Sequence, residues 1–182
     1  MRTIYLMGTK VYLRAMVESD KEWGIAWFNS RLPMGGFGHV FPVDATRSTV
    51  VLKEENRGLW PGGRHRFAIV RNTDDQVVGA LVEQSAYPVL AFIGVQMAPA
   101  LPDADVLRAE ALHLVIPWLR DERQFRLIRI CIPADEVGTI QAAEAAGMAQ
   151  GARLRRYVAR AGTRVDLLMY EAVNPQWAGK DA

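Results

Sequence analysis

Polar and apolar residues alternate along Lys10-Val11-Tyr12-Leu13-Arg14-Ala15, a period of two on β-favouring side chains that predicts a first strand. Ser19 or Asp20 then offers an N-cap, with Glu22 in the first turn, for a short aromatic helix through Trp23, Trp27 and Phe28. Residues 31–44 carry too many helix breakers for a regular element and are rich in aromatics and Met, which predicts an apolar loop beside a binding cleft. A second helix follows from Thr46 to Arg57, ended by Gly58 and Pro61. Three strands are expected next, over 66–71, 76–83 and 89–97, with a polar turn at 72–75 and a stop at Pro99 and Pro102. Leu107, Ala111, Leu114, Val115, Trp118 and Leu119 recur at helical spacing and predict a long helix over 105–120, with Pro117 on the opposite side kinking its last turn. A strand over 127–132, an Ala-rich helix from Gly138 to Ala146 closed by Gly147, and a hairpin of 151–158 and 164–173 turning at Ala161-Gly162-Thr163 complete the pattern. The order β, α, α, three strands, α, β, α, two strands defines a mixed α/β (α+β) fold around one sheet.

Repeats, low-complexity tracts and linkers are lacking, so one domain over 1–182 is expected, with its core at about 8–173 and a tail at 174–182. Half of the 182 residues are hydrophobic and 23% are charged, enough for a conventional core and incompatible with disorder as the main state. The net charge of +2 gives no field that argues for nucleic acid as a partner. No run approaches the ~18 apolar residues of a membrane span, and the apolar stretch before Lys10 is too short for a signal peptide. Cys131, the single cysteine, lies among apolar neighbours and reads as an inert buried thiol, so a cytoplasmic location is expected.

Several short patterns occur in a telling order. They are Val11-Tyr12-Leu13-Arg14-Ala15 followed by Asp20 and Trp27, then Ile93-Gly94-Val95, Glu110-Ala111-Leu112, Glu144-Ala145-Ala146-Gly147-Met148 and Asp166-Leu167-Leu168-Met169-Tyr170. Together they resemble the GNAT superfamily of acyl-CoA-dependent N-acetyltransferases, in the branch that acetylates protein N-termini and related amines, over about residues 8 to 173. The resemblance implies the acyl-CoA N-acyltransferase fold, a central, mostly antiparallel twisted sheet flanked by about four helices. It implies acetyl-CoA as cosubstrate and a small-molecule or peptide amine as acceptor. A catalytically silent scaffold that has lost its cofactor site is the alternative.

By the same resemblance, the strand ending in Val95, Gln96 and Met97 splays from its neighbour to hydrogen-bond the pantetheine arm, and the next loop and helix tip turn N–H groups toward the pyrophosphate. Aligned on Glu110-Ala111-Leu112, the phosphate loop falls on Asp103 to Ala109, including Asp105, Val106, Leu107, Arg108 and Ala109. It lacks the family's glycines, and Asp103 or Asp105 can cap the helix in place of a phosphate. Glu136 stands where many members carry a CoA-contacting Asn, and Ala143 where a Tyr acid is frequent.

Glu83, at a strand end beside the expected splay, is the candidate base, weighed against a merely solvated carboxylate. Tyr157 or Tyr170 can supply a proton from the closing hairpin, weighed against ordinary packing. His39, His65 and His113 are scattered and build no metal site; His65 is expected to be exposed and His113 to lie on the outer face of the long helix. Arg153, Arg155, Arg156, Arg160 and Arg164 make the densest basic stretch, which can meet nucleic-acid phosphate, an acidic substrate or the CoA 3′-phosphate, weighed against solvated hairpin residues divided between two faces. The apolar loop of residues 34–41 suits a hydrophobic amine, a peptide or a homodimer contact.

Overall fold

A computed structural model describes residues 4–20, Trp23, 64–86, 88–160 and 162–177. The strands are β1 (Ile4–Met7), β2 (Val11–Ala15), β3 (Arg64–Arg71), β4 (Val77–Ala86), β5 (Leu90–Met97), β6 (Leu127–Pro133), β7 (Ala149–Arg160) and β8 (Thr163–Val173). They form one sheet in the order β1-β2-β3-β4-β5-β6-β8-β7. Every neighbouring pair is antiparallel except β5 with β6, which are parallel and joined through helix α1 (Ala104–Pro117). Helix α2 (Val137–Ala145) follows β6.

The period-two and helical patterns place these elements close to the predicted positions, and β1 is an added strand. Two α-helices lie among the described residues. The expected helices through Trp27 and over 46–57, the apolar loop of residues 34–41 and His39 fall outside them. The long helix is α-helical only to Pro117 and continues as a π turn, Trp118–Glu122, in which the Arg123 N–H donates to the Trp118 carbonyl at 3.0 Å. Pro117 has no N–H to give the α ladder, so the path widens there. Gly147 closes α2 at φ +81°, and the Met148 N–H reaches back to the Ala143 carbonyl at 3.1 Å.

Alternation divides the sheet into two faces. On one, Leu13, Ile69, Leu81, Ile93, Val95, Ile130 and Ile132 pack in a single core with Leu107, Ala111, Leu112 and Val115 of α1. Tyr12, Met16, Ala68, Val70 and Ala80 form a smaller cluster on the other. The Glu110 carboxylate fastens α1 to the β1–β2 turn, accepting bonds from the Thr9 N–H, from Thr9 Oγ1 at 2.9 Å and from the Lys10 N–H at 2.9 Å. Tyr5 stacks on Phe67 and Trp118, with centroids 5.6 and 5.4 Å apart, which gives β1 an anchor on the helix side.

The opposite face holds a buried ion pair. Arg14 Nη1 and Nη2 donate to the Asp20 carboxylate at 2.6 and 2.8 Å, the Val17 N–H adds a bond at 2.8 Å, and Trp23 Nε1 lies 3.3 Å away. Burial opposes ionisation of Asp20, but the bonds from Arg14 and Val17 outweigh it and hold the carboxyl below its ordinary range. A carboxyl with a depressed folded-state pKa gives stability that is present above the ordinary carboxylate range and is lost as pH falls through it. Asp20→Ala strands the Arg14 charge and should cost about 3–5 kcal/mol at neutral pH. Denaturant melts of the two proteins should converge as pH drops below about 4, the ordinary carboxylate value.

Candidate functional site

The parallel ladder of β5 with β6 is short. It pairs Leu90 with Leu127, Ala91 with Ile128, Phe92 with Arg129 and Ile93 with Ile130, and then stops. Both strands run on, β5 through Gly94 to Met97 still paired with β4, and β6 through Cys131 to Pro133 still paired with β8. A fork therefore opens beyond Ile93 and Ile130. The inner edges of Gly94, Val95, Gln96 and Met97 offer about 13 Å of backbone with no strand partner across the gap among the described residues. The Val95 and Met97 side chains are buried in the helix-side core. Gln96 projects to the opposite face, and its buried Nε2 has no hydrogen-bond partner among the described residues.

One row of side chains crosses the sheet at the fork's apex on the helix side. In register it runs His65, Glu83, Ile93, Ile130, Tyr170. Glu83 is only 2% exposed, which excludes the solvated strand end weighed from sequence. Its Oε2 lies 2.5 Å from His65 Nδ1, while Oε1 has no hydrogen-bond partner among the described residues. His65 corrects the sequence expectation: it is half-buried and paired with a carboxylate. The signal was the two-residue alternation itself, because cross-strand pairing sets His65 opposite Glu83. On the other flank, the Tyr170 hydroxyl donates to Glu144 Oε1 at 2.8 Å. Burial, reinforced by the Glu144 carboxylate, raises the Tyr170 pKa and makes it a weaker acid.

The helix tips that overlook the fork carry charges of the chain itself. α1 starts at Ala104, so Asp105, Val106, Leu107, Arg108 and Ala109 are helical, as the apolar stripe over 105–120 predicts, in the stretch where the resemblance places the phosphate loop. Asp103, the N-cap residue, makes no side-chain capping bond. Leu107 is buried in the core, and Val106 is exposed. The Asp105 carboxylate pairs with Arg108 Nη1 and packs against Gly138 in the first turn of α2, filling the space a β-carbon there would need. Arg108 Nε is buried with no partner among the described residues. Glu136, the N-cap residue of α2, accepts from Arg160 Nη2 at 2.8 Å, and Asp135 lies 3.4 Å from Arg160 Nε. Burial pushes the Glu136 carboxyl above its ordinary range, against the pull of Arg160 and Arg108.

Tyr157 stands apart from this assembly. It is 62% exposed on the outer strand β7, in an irregular stretch beside Arg156 at φ +49°. Arg153 and the Arg156 N–H bind the two oxygens of Asp166, and Arg160 faces α2, so the basic hairpin is partly spent on internal pairs. His113 is exposed on α1, and its Nδ1 lies 2.8 Å from the Ala109 carbonyl oxygen. Burial raises the thiol pKa of half-buried Cys131. Among the described residues no group of His, Cys, Asp or Glu could hold a metal ion, and no helix is long and apolar enough to cross a membrane.

No family model and no curated protein matches the chain. Solved structures do. A provisionally assigned acetyltransferase from Sphaerobacter thermophilus is 46% identical, with 97% of this chain and 99% of that chain covered and a TM-score of 0.69. A GNAT-family acetyltransferase from Bacillus anthracis is 13% identical over 93% of this chain and 98% of that one, with a TM-score of 0.71. RimL, a ribosomal L7/L12 α-N-protein acetyltransferase in complex with coenzyme A, is 14% identical over 94% and 98%, with a TM-score of 0.77. The chain belongs to the GNAT family of acetyltransferases.

Coenzyme A, which that family implies, fits these residues in part. The open edge of β5 suits the amide-bearing pantetheine arm. The mouth of α1 does not suit a diphosphate, because Asp105 brings a carboxylate to the tip where anion-binding N–H groups would point.

The contact of Asp105 with Gly138 is testable by a double-mutant cycle. Gly138→Ala alone gains helix propensity but evicts the carboxylate, so its net effect on stability should be close to zero. In an Asp105→Ala background the same change should stabilise by about 1 kcal/mol, the ordinary gain of alanine over glycine in a helix. Equal effects in both backgrounds, measured by chemical denaturation, would show that the two residues do not interact.

Proposed function

We propose that the chain is an N-acetyltransferase that moves an acetyl group from acetyl-CoA to a primary amine, either a small molecule or a peptide N-terminus, by direct attack. The observation that carries this proposal is the fork between β5 and β6 with a buried carboxylate one strand from its apex. Unpaired backbone groups in a crevice cost about 1–3 kcal/mol each when left dry, so the edge from Gly94 to Met97 favours an extended, amide-rich ligand. When bound, the cosubstrate supplies an activated acyl carbon as a thioester.

The chain's own residues do the rest. Backbone N–H groups of the β5 edge orient the arm, and one of them meets the carbonyl oxygen as charge develops on it. Glu83 Oε1, the oxygen with no partner among the described residues, takes one proton from the ammonium, and His65 on Oε2 leads it toward solvent. The freed amine then attacks, the C–N bond forms as the C–S bond breaks, and the second amine proton goes to the departing sulfur. The balance needs no separate side-chain acid, which accords with Ala143 in the small helix and with the exposed position of Tyr157.

The silent-scaffold alternative draws on the resident carboxylate at the α1 tip. Thiol release matched one for one by acetylated amine, read by a thiol reagent and mass spectrometry over a panel of primary amines, would exclude that alternative. No release with any amine would favour it. Glu83→Gln keeps the size of the buried group and should lower kcat by about 10² or more, the usual worth of a general base, while leaving the donor KM nearly unchanged. Full activity in that variant would remove Glu83 from the mechanism.

A further inference from the structure

The fork and the helix tips present different surfaces, an unpartnered strand edge among the described residues at one and a cluster of charged side chains at the other. We infer, building on the acetyltransferase proposal, that the donor is recognised through its pantetheine arm and that the adenosine diphosphate half contributes little to affinity. The donor class is then the acyl-pantetheine thioester, whether or not a nucleotide terminates it. Three observations lead there.

First, the arm's surface is open among the described residues: the β5 edge from Gly94 to Met97 has no strand across the gap, while its other edge is held by β4 through the Gly79 to Met97 pair. Second, the surface a diphosphate would use carries a resident anion, Asp105, whose side chain is 67% exposed. The Asp105 carboxylate lies between the first turns of α1 and α2, in contact with Gly138 and ion-paired with Arg108. Asp105 makes no capping bond to the helix N–H groups, but as an anion in the first turn it already interacts with the helix dipole and repels a phosphate approaching the same tip. A second anion arriving there meets Asp103, Asp105, Glu136 and Asp135, against Arg71, Arg108 and Arg160, whose charges already serve those carboxylates. Third, the backbone at the tip is not shaped for close approach. Val106 carries a side chain on the first turn and Arg108 on the start of the next, the helix begins as early as Ala104, and there is no glycine among residues 103–109.

The charges also predict which change restores the nucleotide half. Neutralising Asp105 removes the resident anion and releases Arg108, whose guanidinium is 14% exposed and already at the tip. It leaves the fork untouched, because Asp105 belongs to α1 and not to either strand edge.

Isothermal titration calorimetry on the full chain tests this with CoA and pantetheine as paired ligands, on the native protein and on Asp105→Asn. CoA and pantetheine should bind the native protein within about three-fold of each other, whereas Asp105→Asn should tighten CoA by about ten-fold and leave pantetheine unchanged. CoA binding the native protein about 30-fold or more tighter than pantetheine would overturn the inference and leave the proposed function intact. An Asp105→Asn protein whose CoA affinity does not move would overturn it as well. Failure of both ligands to bind, with no thiol release from acetyl-CoA and any amine, would overturn the acetyltransferase proposal and this inference together. Circular dichroism melts of Asp105→Asn separate a folding defect from a binding effect, and acetyl-pantetheine turnover close to that of acetyl-CoA is the expected kinetic counterpart.

Discussion

Four residue pairs of parallel ladder are the constraint from which the site follows. β5 and β6 are each secured on their outer sides, β5 by β4 as far as Met97 and β6 by β8 as far as Pro133. The sheet is thus two antiparallel halves joined by the short stretch that ends at Ile93 and Ile130. Past that point α1 leaves from the β5 end and α2 from the β6 end, and the two helices pack on one face. Lengthening the parallel ladder would satisfy more backbone groups but close the fork. The unmade bonds are a standing cost that a hydrogen-bonding ligand can offset.

The same economy explains Glu83. A carboxylate that is 2% exposed in a strand otherwise lined by Leu81 and Val82 is a poor choice for a core, and one oxygen bonded to His65 compensates only half of it. Local rules tend to be broken where function requires it. The cross-strand row makes the location specific, because Glu83 flanks Ile93 on one side of the fork as Tyr170 flanks Ile130 on the other. Tyr170 is committed to Glu144 and its pKa is raised, so only the Glu83 flank retains an uncommitted oxygen.

Most of the fold could be read from the chain because its signals are local. The strands over 66–97, the α1 stripe, the Gly147 stop and the closing hairpin each follow from periodicity and turn chemistry within a few residues. The resemblance supplied the splay, and the register located its apex. Less legible were the features that depend on which residues meet across the sheet or between helices. Alternation sets the face on which His65 and Glu83 lie, but that they meet follows only from the β3–β4 register, which joins residues 18 apart. The contact between Asp105 and Gly138 joins two helix starts that only the tertiary fold brings together. Pro117 was expected to kink the helix, but it marks a change from α to π winding, a difference of hydrogen-bond spacing that apolar periodicity does not report. The strand Ile4–Met7 owes its place to the Glu110 carboxylate beneath its turn and to the Tyr5 stack, both contributed from distant parts of the chain.

The fork and the helix tips therefore pull the same ancestral scaffold in different directions. At the fork the β5 edge has no strand partner among the described residues, and at the tips charged side chains link α1, α2 and β7 through Asp105, Arg108, Glu136 and Arg160. Those ion pairs lie at the surface or half-buried, so their direct worth to stability is small. Their larger consequence is electrostatic, because carboxylates outnumber guanidiniums at the α2 cap and disfavour a further anion.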